Sequence, residues 1–299
     1  MLSILIPVYQ YDVRKLVNDL HQQCSDAAIS FEIICMDDGS DPHFDHTNRS
    51  IGNITHVKYI RNTENKGRSS TRNALCRKAQ YEFLLYLDCD AAIASKDFIN
   101  NYLPLLGENK LISGGRIYAK HPPAHKDYLL HWSWGVKREL LDVNLRMRDP
   151  VNHFLSNNFV VAREIILKFP FDEEIRKYGY EDVYLAYQIS QNGIDIVHIE
   201  NPVIHEGLDR NADLLRKLDE ASENILMLYK ESKTGSRPFI IKSRLVHLWL
   251  ALNKPLVSQI MRFFSFIMRP PVRFYLLHIS PSIILLDLYR LLGLFGFKK

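Results

Sequence analysis

A short apolar run that ends in two carboxylates constrains the fold of this chain most strongly. Phe83–Leu87 reads FLLYL and is followed at once by Asp88, Cys89 and Asp90. A run of this length predicts a buried strand, and the strand ends of an open α/β sheet form the crevice in which ligands bind. Paired carboxylate oxygens there suit a hard divalent cation such as Mg²⁺ or Mn²⁺. An acidic turn without a ligand is the plainer interpretation, because Asp is also a common turn residue.

Strands and helices are predicted to alternate on both sides of this run. Apolar runs at 4–9, 31–36 and 57–61 each predict a strand, and Val13, Leu16, Val17 and Leu20 between the first two have the spacing of an amphipathic helix. Further strands are predicted at 111–116, 159–162, 194–197 and 203–205. This order predicts an α/β fold with a doubly wound sheet, whose site lies at the C-terminal ends of the strands.

Two common nucleotide-binding motifs are absent from the sequence. There is no G-x-G-x-x-G after the first strand and no G-x-x-x-x-G-K-[ST] anywhere, which excludes the dinucleotide fingerprint and the P-loop. The four cysteines form no C-x-x-C pair, which indicates free thiols in a reducing compartment. The chain also begins without a signal-peptide pattern, so we expect a cytoplasmic location.

Five motifs, taken in order, resemble those of the inverting family 2 glycosyltransferases of GT-A fold. They are SILIPVYQYD at 3–12, MDDGSD at 36–41, NKGRSSTRN at 65–73, LDCD at 87–90 and GYEDVYLAYQ at 179–188. The resemblance implies a Rossmann-like mixed, mostly parallel sheet flanked by helices. It also implies metal-dependent transfer of a hexosyl or N-acetylhexosaminyl group, with Mn²⁺ or Mg²⁺, from a nucleotide-sugar donor, expected to be UDP-linked. The acceptor would be a hydroxyl of a lipid-linked or growing cell-surface glycan, and no nucleic-acid partner is expected.

The same resemblance covers about residues 1–210 and implies an order of segments along them. Residues 1–115 would form the nucleotide-sugar-binding half of the GT-A domain and residues 116–210 its acceptor-binding half. Residues 211–299, outside the resemblance, would form a helical, basic C-terminal extension.

The resemblance assigns the donor site to residues from three of these motifs. Asp38 would accept a hydrogen bond from the nucleotide base, with Asp37 in support and with Pro7 and Tyr9 as walls of the pocket. The plainer interpretation of the two carboxylates is a turn, since Asp-Gly-Ser is good turn chemistry. Gly67, Arg68 and Arg72 open a helix whose N-terminus attracts anions, and guanidinium groups there suit a pyrophosphate or ribose.

The remaining roles implied by the resemblance concern the metal and the base. Asp90 would ligate the cation, and Asp88 would bind ribose, the metal or metal-bound water. His205 would be a third ligand, with His198 as its rival. Asp182 would be the catalytic base and Glu181 would hold an acceptor hydroxyl, although an acid pair in the first turn also stabilises a helix dipole. Asn157 and Asn158 would contact donor or acceptor hydroxyls.

The end of the chain has a different character from the rest. From Arg237 onward there are ten Lys or Arg residues against a single acid, Asp287, so this tail carries +9 and residues 1–236 carry −5. Its apolar stretches, 256–268 and 272–297, are interrupted by charges or prolines, which favours helices lying in a membrane interface. An anionic membrane surface at the inner face of the cell membrane is therefore the expected partner. A helical cap, a homodimer contact and a hairpin entering one leaflet around Pro281 are the alternatives.

Two other functions fit the same motifs. A polyprenyl-phosphate glycosyltransferase would use an anionic acceptor and would not need Asp182 as a base. A catalytically silent protein that binds sugar nucleotide or glycan and organises a membrane complex belongs to another class. The intact set of acidic residues argues against this silent scaffold.

Overall fold

The computed structural model describes residues 1–239 and 243–296, which form two compact units. The sheet unit comprises Met1–Ala119, Leu140–Arg176 and Glu181–Gly207. The helical unit comprises Lys120–Glu139, Lys177–Tyr180 and Leu208–Lys299. The expected division at residues 115 and 210 stays a prediction. Of the basic tail, Lys242, Lys298 and Lys299 lie outside the described residues, as does Phe297.

The strands of the sheet unit are numbered in chain order. They are β1 (Leu2–Val8), β2 (Phe31–Asp37), β3 (Val57–Arg61), β4 (Phe83–Leu87), β5 (Ala91–Ile93), β6 (Lys110–Ser113), β7 (Arg116–Ile117), β8 (Asn158–Ala162), β9 (Asp195–His198) and β10 (Val203–His205). Seven of them form one sheet in the order β3-β2-β1-β4-β8-β6-β9. All neighbours are parallel except β8, which runs antiparallel to both β4 and β6. The fold is therefore the mixed, mostly parallel sheet that was predicted.

Helices of the sheet unit cover this sheet, and its strands are buried on both faces. Successive residues of a strand point to opposite faces, so Ile4 of β1 belongs to one apolar cluster and Leu5 to the other. The helices of this unit are α1 (Arg14–Asp26), α2 (Pro42–Asn48), α3 (Arg68–Lys78), α4 (Phe98–Tyr102), α6 (Val143–Arg148), α7 (Arg163–Lys168) and α8 (Glu181–Gln191). The buried side of α1 is the predicted one, with Leu16, Val17 and Leu20 in the core.

A helical pattern and a predicted strand are both cut short. Phe98, Ile99, Tyr102, Leu103 and Leu106 have the spacing of a helix face, but α4 ends at Tyr102 and is followed by a 3₁₀ turn that contains Pro104. The strand expected at 111–116 breaks at Gly114 and Gly115, and Gly115 has φ +82°. Because this left-handed conformation cannot continue a strand, β6 and β7 belong to different sheets.

A small second sheet, in the order β5-β10-β7, continues from these breaks. In it β10 runs antiparallel to β5, with His205 opposite Ala91, and parallel to β7, with Val203 opposite Arg116. Asp90 directly precedes β5 and His205 ends β10, so this pairing fixes the two predicted metal ligands in register.

The helical unit packs around α9, a helix of 24 residues. Its helices are α5 (Leu129–Trp134), α9 (Asn211–Thr234), α10 (Arg244–Leu252), α11 (Pro255–His278) and α12 (Ile283–Gly296). Asp219 of α9 forms an ion pair with Arg269 of α11 and accepts a hydrogen bond from the Tyr289 hydroxyl of α12 at 2.9 Å. None of the described helices combines the length and apolar character needed to cross a membrane.

We predict that Gly114→Ala destabilises the sheet unit. A Cβ at this position would collide with the Tyr102 hydroxyl and the Asn201 carbonyl oxygen, and both groups are buried. Overpacking of this kind costs about 1–3 kcal/mol in the free energy of unfolding. Gly52→Ala is the control, since its Cβ would meet only Tyr59 Cβ at 3.9 Å. Urea denaturation of both variants checks the prediction, which is wrong if they are equally stable.

Candidate active site

The small sheet brings the predicted metal ligands Asp90 and His205 together. Asp90 directly precedes β5, and His205 lies opposite Ala91 across the pairing of β10 with β5. As a result His205 Nδ1 is 3.5 Å from Asp90 Oδ1, and the Glu206 amide donates to the Asp90 carbonyl oxygen at 2.9 Å. The Asp90 carboxylate lies so close to Gly207 that any side chain there would displace it.

The surroundings of Asp90 keep its carboxyl group ionised. Burial alone would raise its pKa, but His205, Arg68 and Arg116 have the larger combined effect, and the pKa lies below the ordinary value. Asp90 Oδ1 is buried and accepts no hydrogen bond. An ionised carboxylate with one unsatisfied oxygen, beside an imidazole, is a donor pair that suits Mn²⁺ or Mg²⁺.

A cation held by Asp90 and His205 would need further ligands. Across residues 1–239 and 243–296, no three His, Cys, Asp or Glu side chains are grouped so that they could hold a metal. Cations of this type are commonly bound by one or two carboxylates, water and the phosphates of the substrate. The residues present therefore fit a divalent cation that is completed by a bound diphosphate.

The carboxylate of Asp88 is engaged by Arg72. Arg72 Nη2 donates to Asp88 Oδ1 at 2.8 Å, and Arg72 Nη1 lies 3.6 Å from Glu181 Oε1. The Arg72 side chain is only 2% exposed and lies over the ring of Phe171, 5.3 Å from its centroid. Asn73 fixes the backbone of Phe171, because its side chain donates to the Phe171 carbonyl and accepts from the Phe171 amide.

This arrangement separates the two arginines that were predicted to bind pyrophosphate or ribose. Arg72 is buried between the carboxylates of Asp88 and Glu181, whereas Arg68 is exposed at the start of α3, where its charge acts on Asp90. Gly67, with φ +88°, precedes α3 as its N-cap. Arg68 is therefore the arginine of this pair that is accessible to a soluble anion.

The predicted base lies in the first turn of α8. Asp182 is partly buried, and its Oδ1 accepts a hydrogen bond from the Val183 amide at 2.8 Å. Burial, followed by the charge of Glu181, raises the pKa of Asp182 from 3.8 to about 7, against the opposing effects of the Val183 amide and of Arg72 and Arg116. A carboxylate with this pKa is a stronger base than an ordinary aspartate and is still ionised above neutral pH.

The two carboxylates of the Asp-Asp-Gly turn stabilise neighbouring loops. Asp37 accepts hydrogen bonds from the Ser40 amide at 2.7 Å and the Tyr59 hydroxyl at 2.9 Å. Asp38 accepts three, from the Asn62 side chain and from the amides of Lys66 and Gly67, each at 2.9 Å.

A carboxylate has about four acceptor positions, so Asp38 retains room for one further donor. Its own amide donates to the Val8 carbonyl at the end of β1. The two residues predicted to wall this pocket differ in exposure, since Pro7 of β1 is partly buried and Tyr9, which follows β1, is 51% exposed. A carboxylate with one free acceptor position, bonded through its own amide to the residue before Tyr9, is compatible with a base-binding pocket.

Three other candidates are buried and differ in what they can offer a ligand. His198 is buried between the Pro150 carbonyl and the Arg146 guanidinium, and burial lowers its pKa to about 4. Asn158 is satisfied by the Tyr102 hydroxyl and two backbone carbonyls. Asn157 accepts the Asp88 amide on its backbone, while its buried Oδ1 makes no hydrogen bond. Asn157 therefore retains an acceptor near Asp88, whereas His198 and Asn158 do not offer one.

Sequence reasoning missed residues that border the Asp90–His205 pair. Arg116 affects the pKa values of both Asp90 and Asp182, and the Tyr118 ring lies edge-on to His205 with centroids 5.4 Å apart. Burial, with smaller effects from Glu206 and Asp90, raises the pKa of Tyr11 to about 12. The Gly114-Gly115 break before Arg116 was the available signal, because it marks a chain that changes sheets.

The fold and these acidic loops define a class, the GT-A proteins. The chain belongs to glycosyl transferase family 2, because the model of that family matches residues 3–167. Hyaluronan synthase of Pasteurella multocida is 26% identical over 244 residues, which are 67% of this chain and 25% of that protein. The chain thus spans about a quarter of the length of this relative.

Solved structures share the fold at low sequence identity. A mannosyltransferase of Pyrobaculum calidifontis, solved with GDP-Man and Mn²⁺, has a TM-score of 0.61 and 14% identity, over 98% of this chain and 85% of its own. Glucosyl-3-phosphoglycerate synthase of Mycobacterium tuberculosis, solved with Mn²⁺, UDP and glucosyl-3-phosphoglycerate, has a TM-score of 0.53 and 16% identity, over 76% of this chain and 79% of its own. Both similarities confirm the GT-A fold.

We predict that Asp182→Asn stabilises the fold at alkaline pH. Since the folded pKa is raised from 3.8 to about 7, the stability linked to this proton is complete below pH 3.8 and is lost as the pH rises through about 7. The neutral amide avoids this loss, so the variant should be more stable at pH 8 by about 1–3 kcal/mol and by less at pH 5. Urea denaturation at both values checks this, with the exposed Asp195→Asn as control. Equal stability of variant and wild type at pH 8 would contradict it.

Proposed function

We propose that this protein is an inverting, metal-dependent glycosyltransferase that moves a sugar from a UDP-linked donor to a hydroxyl of a lipid-linked or growing cell-surface glycan. The observation that carries the proposal is the buried Arg72, which bonds Asp88 at 2.8 Å and pairs with Glu181 at 3.6 Å. One guanidinium thereby ties the acidic turn expected to serve the donor to the acidic turn expected to serve the acceptor.

The donor would be held by residues from separate strand ends of the sheet unit. Asp38, with its remaining acceptor position, would bind the nucleotide base beside Tyr9 and Pro7, with Asp37 holding the turn. The exposed Arg68 would meet the diphosphate. Asp90 and His205 would hold the divalent cation, with Asp88 on the ribose or on metal-bound water. When bound, the cation supplies Lewis-acid stabilisation of the departing nucleoside diphosphate.

The acceptor would be activated by Asp182. Its carboxylate would take the proton of the attacking hydroxyl, while the sugar carbon is attacked from the side opposite the leaving diphosphate. The raised pKa of Asp182, about 7, supports this role, because a base is most effective when its pKa lies near the working pH. Glu181 raises that pKa by its charge and would hold a neighbouring acceptor hydroxyl.

The acceptor class and the location are supported by weaker observations. A relative named hyaluronan synthase supports a growing glycan as acceptor. Four free cysteines support a reducing compartment, and the basic helical unit supports contact with the inner face of the cell membrane.

Removal of the Asp90 carboxylate should abolish metal-dependent binding of UDP. We expect Asp90→Ala to weaken binding of UDP in the presence of Mn²⁺ by at least about tenfold, because the cation loses its ionised protein ligand. Binding of UDP by the wild type should fall in the same way when EDTA replaces Mn²⁺.

Isothermal titration calorimetry measures both effects, with Asp97→Ala as the control for an exposed acid in the loop after β5. Wild-type affinity for UDP that is unchanged by EDTA would refute metal dependence. If UDP and other nucleoside diphosphates fail to bind the wild type with Mn²⁺, the donor assignment is wrong.

Loss of the Asp182 carboxylate should remove transfer and leave donor binding intact. We expect Asp182→Asn to lower kcat by about 10²–10⁴-fold, the usual contribution of a general base. Wild-type kcat should rise with pH and level off above about 7, as Asp182 loses its proton. Sugar transfer is measured with a panel of nucleotide-sugar donors and a panel of acceptors that includes membrane lipid extract.

Two outcomes point to the other functions. Undiminished transfer by Asp182→Asn to an acceptor that carries a phosphate indicates a polyprenyl-phosphate glycosyltransferase. Binding of donor by the wild type without turnover of any donor indicates a silent scaffold.

A further inference from the structure

One side of α11 is occupied by contacts within the helical unit. The buried residues of this helix are Ser258, Ser265, Val272 and Leu276, at spacings of seven, seven and four. Such spacings return to the same side of an α-helix. The Ser265 hydroxyl donates to the Leu292 carbonyl of α12 at 2.8 Å, and a Cβ on Gly296 would lie 3.4 Å from the same hydroxyl. Small residues thus let α11 and α12 approach closely along this side.

The opposite side of α11 is apolar and exposed. Leu256, Ile260, Phe263, Ile267 and Phe274 follow one another at spacings of four, three, four and seven, which keeps them on one side of the helix. Leu256 is 73% exposed and Phe263 is 66% exposed. We call these five residues the outer stripe. A solvated helix normally presents polar residues on its outer side, so this surface is unusual for a helix that meets only water.

Two further phenylalanines widen the outer stripe. Phe264 and Phe266 are neighbours of Phe263 in the sequence, and Phe266 is 82% exposed. Exposed apolar surface of this extent on one element marks an interaction site. From Leu256 to Phe274 the stripe runs along about 27 Å of α11, and all its residues except Phe274 precede Pro270 and Pro271.

Basic side chains lie on one edge of α11, between its buried side and Phe266. Arg262, Arg269 and Arg273 recur at spacings of seven and four on one edge of the helix, and α11 itself contains no Asp or Glu. Arg269 pairs with Asp219. Arg262 and Lys254, which directly precedes α11, are exposed. The whole described segment 243–296 has six Lys or Arg residues and one acid, Asp287, which pairs with Arg138.

The charge of this surface decides between two partners. In a two-fold symmetric contact between two copies, the same patch meets itself. The α11 surface offers basic groups and no acid, so a second copy would provide no opposite charge for Arg262 or Lys254. An anionic bilayer provides both complements, because its phosphates attract the basic edge and its hydrocarbon accepts the aromatic side chains.

We propose that the outer stripe of α11 docks on an anionic lipid surface with the helix lying along that surface. Leu256, Ile260, Phe263 and Phe266 enter the boundary between headgroups and acyl chains, and Arg262 and Lys254 contact lipid phosphates. A helix whose other side is packed against its own unit can present only its side to a membrane. This deepens the proposed function by naming the surface that reaches its membrane partner, and lipid binding itself is independent of catalysis.

Sedimentation of the full chain with lipid vesicles tests the proposal. The wild type should bind vesicles of phosphatidylcholine and phosphatidylglycerol in equal parts, and phosphatidylcholine alone much more weakly. Phe263→Ser with Phe266→Ser should reduce binding to the mixed vesicles by at least about tenfold, since two large apolar side chains are lost. Lys254→Gln with Arg262→Gln should reduce it less and should flatten its dependence on salt. Leu167→Ser, which removes an exposed leucine of α7 in the sheet unit, should bind as the wild type does.

A conservative variant keeps the test valid if the double serine variant does not fold. Phe263→Trp retains an apolar ring, and its fluorescence should be quenched by vesicles that contain brominated acyl chains. The quenching should exceed that of Leu167→Trp, measured against the same background of three native tryptophans. Equal quenching of the two variants would overturn the proposal, as would wild-type binding that does not depend on phosphatidylglycerol.

Two more measurements distinguish lipid docking from a dimer contact and from a failure of the proposed function. Sedimentation velocity without lipid should show the same oligomeric state for wild type and double serine variant, and a dimer lost in that variant assigns the stripe to a second copy instead. Binding of UDP with Mn²⁺ is measured on the same samples. If the wild type binds UDP but not the mixed vesicles, the lipid-docking proposal is wrong and the proposed function is unaffected. If the wild type binds the vesicles but no nucleotide, only the proposed function is wrong.

Discussion

The buried charge of Arg72 is the interaction on which the geometry of the site depends. An ion removed from water is strongly unfavourable unless it is paired, and the Arg72 side chain is 2% exposed. Its partners come from two other parts of the chain, Asp88 at the end of β4 and Glu181 at the start of α8. A lysine could not replace it, because a forked guanidinium can face two carboxylates at once. The loss of either partner would leave a buried charge only half compensated, so the fold and the site are stabilised together.

The register of the small sheet is a second constraint, and it positions Asp90, the second carboxylate of the Asp-x-Asp turn. Asp90 and His205 are close because β10 pairs with β5 in one register, in which His205 is opposite Ala91. A shift by one residue would turn each side chain of β10 to the other face. Gly207 contributes as well, since a side chain there would displace the Asp90 carboxylate. Arg72 and the small sheet therefore position Asp88 and Asp90 separately, although only Cys89 lies between them.

The sequence was informative where a strand was long enough to show a pattern. The runs 31–36, 57–61 and 83–87 became β2, β3 and β4 within one residue, and each ends beside a predicted site residue or the loop that carries one. The strands β5 and β7 have three and two residues, too few for a period to be detected. Their pairing is what places Arg116 and Tyr118 beside the predicted pair, so both were missed. Arg72 was singled out as a site residue, but its burial between two carboxylates depends on contacts that no local pattern encodes.

The pKa of Asp182 shows which of two opposing effects prevails at the start of α8. A helix N-terminus favours the ionised carboxylate by about 0.3–1 kcal/mol. A pKa raised from 3.8 to about 7 shows that the opposing effects are larger than this. Burial and the adjacent charge of Glu181 therefore outweigh the helix dipole and the attraction of Arg72 and Arg116. Because Arg72 pairs with Glu181 and also acts on Asp182 directly, it limits how far this pKa can rise. The same guanidinium that holds Asp88 thus helps to adjust the basicity of Asp182 towards neutral pH.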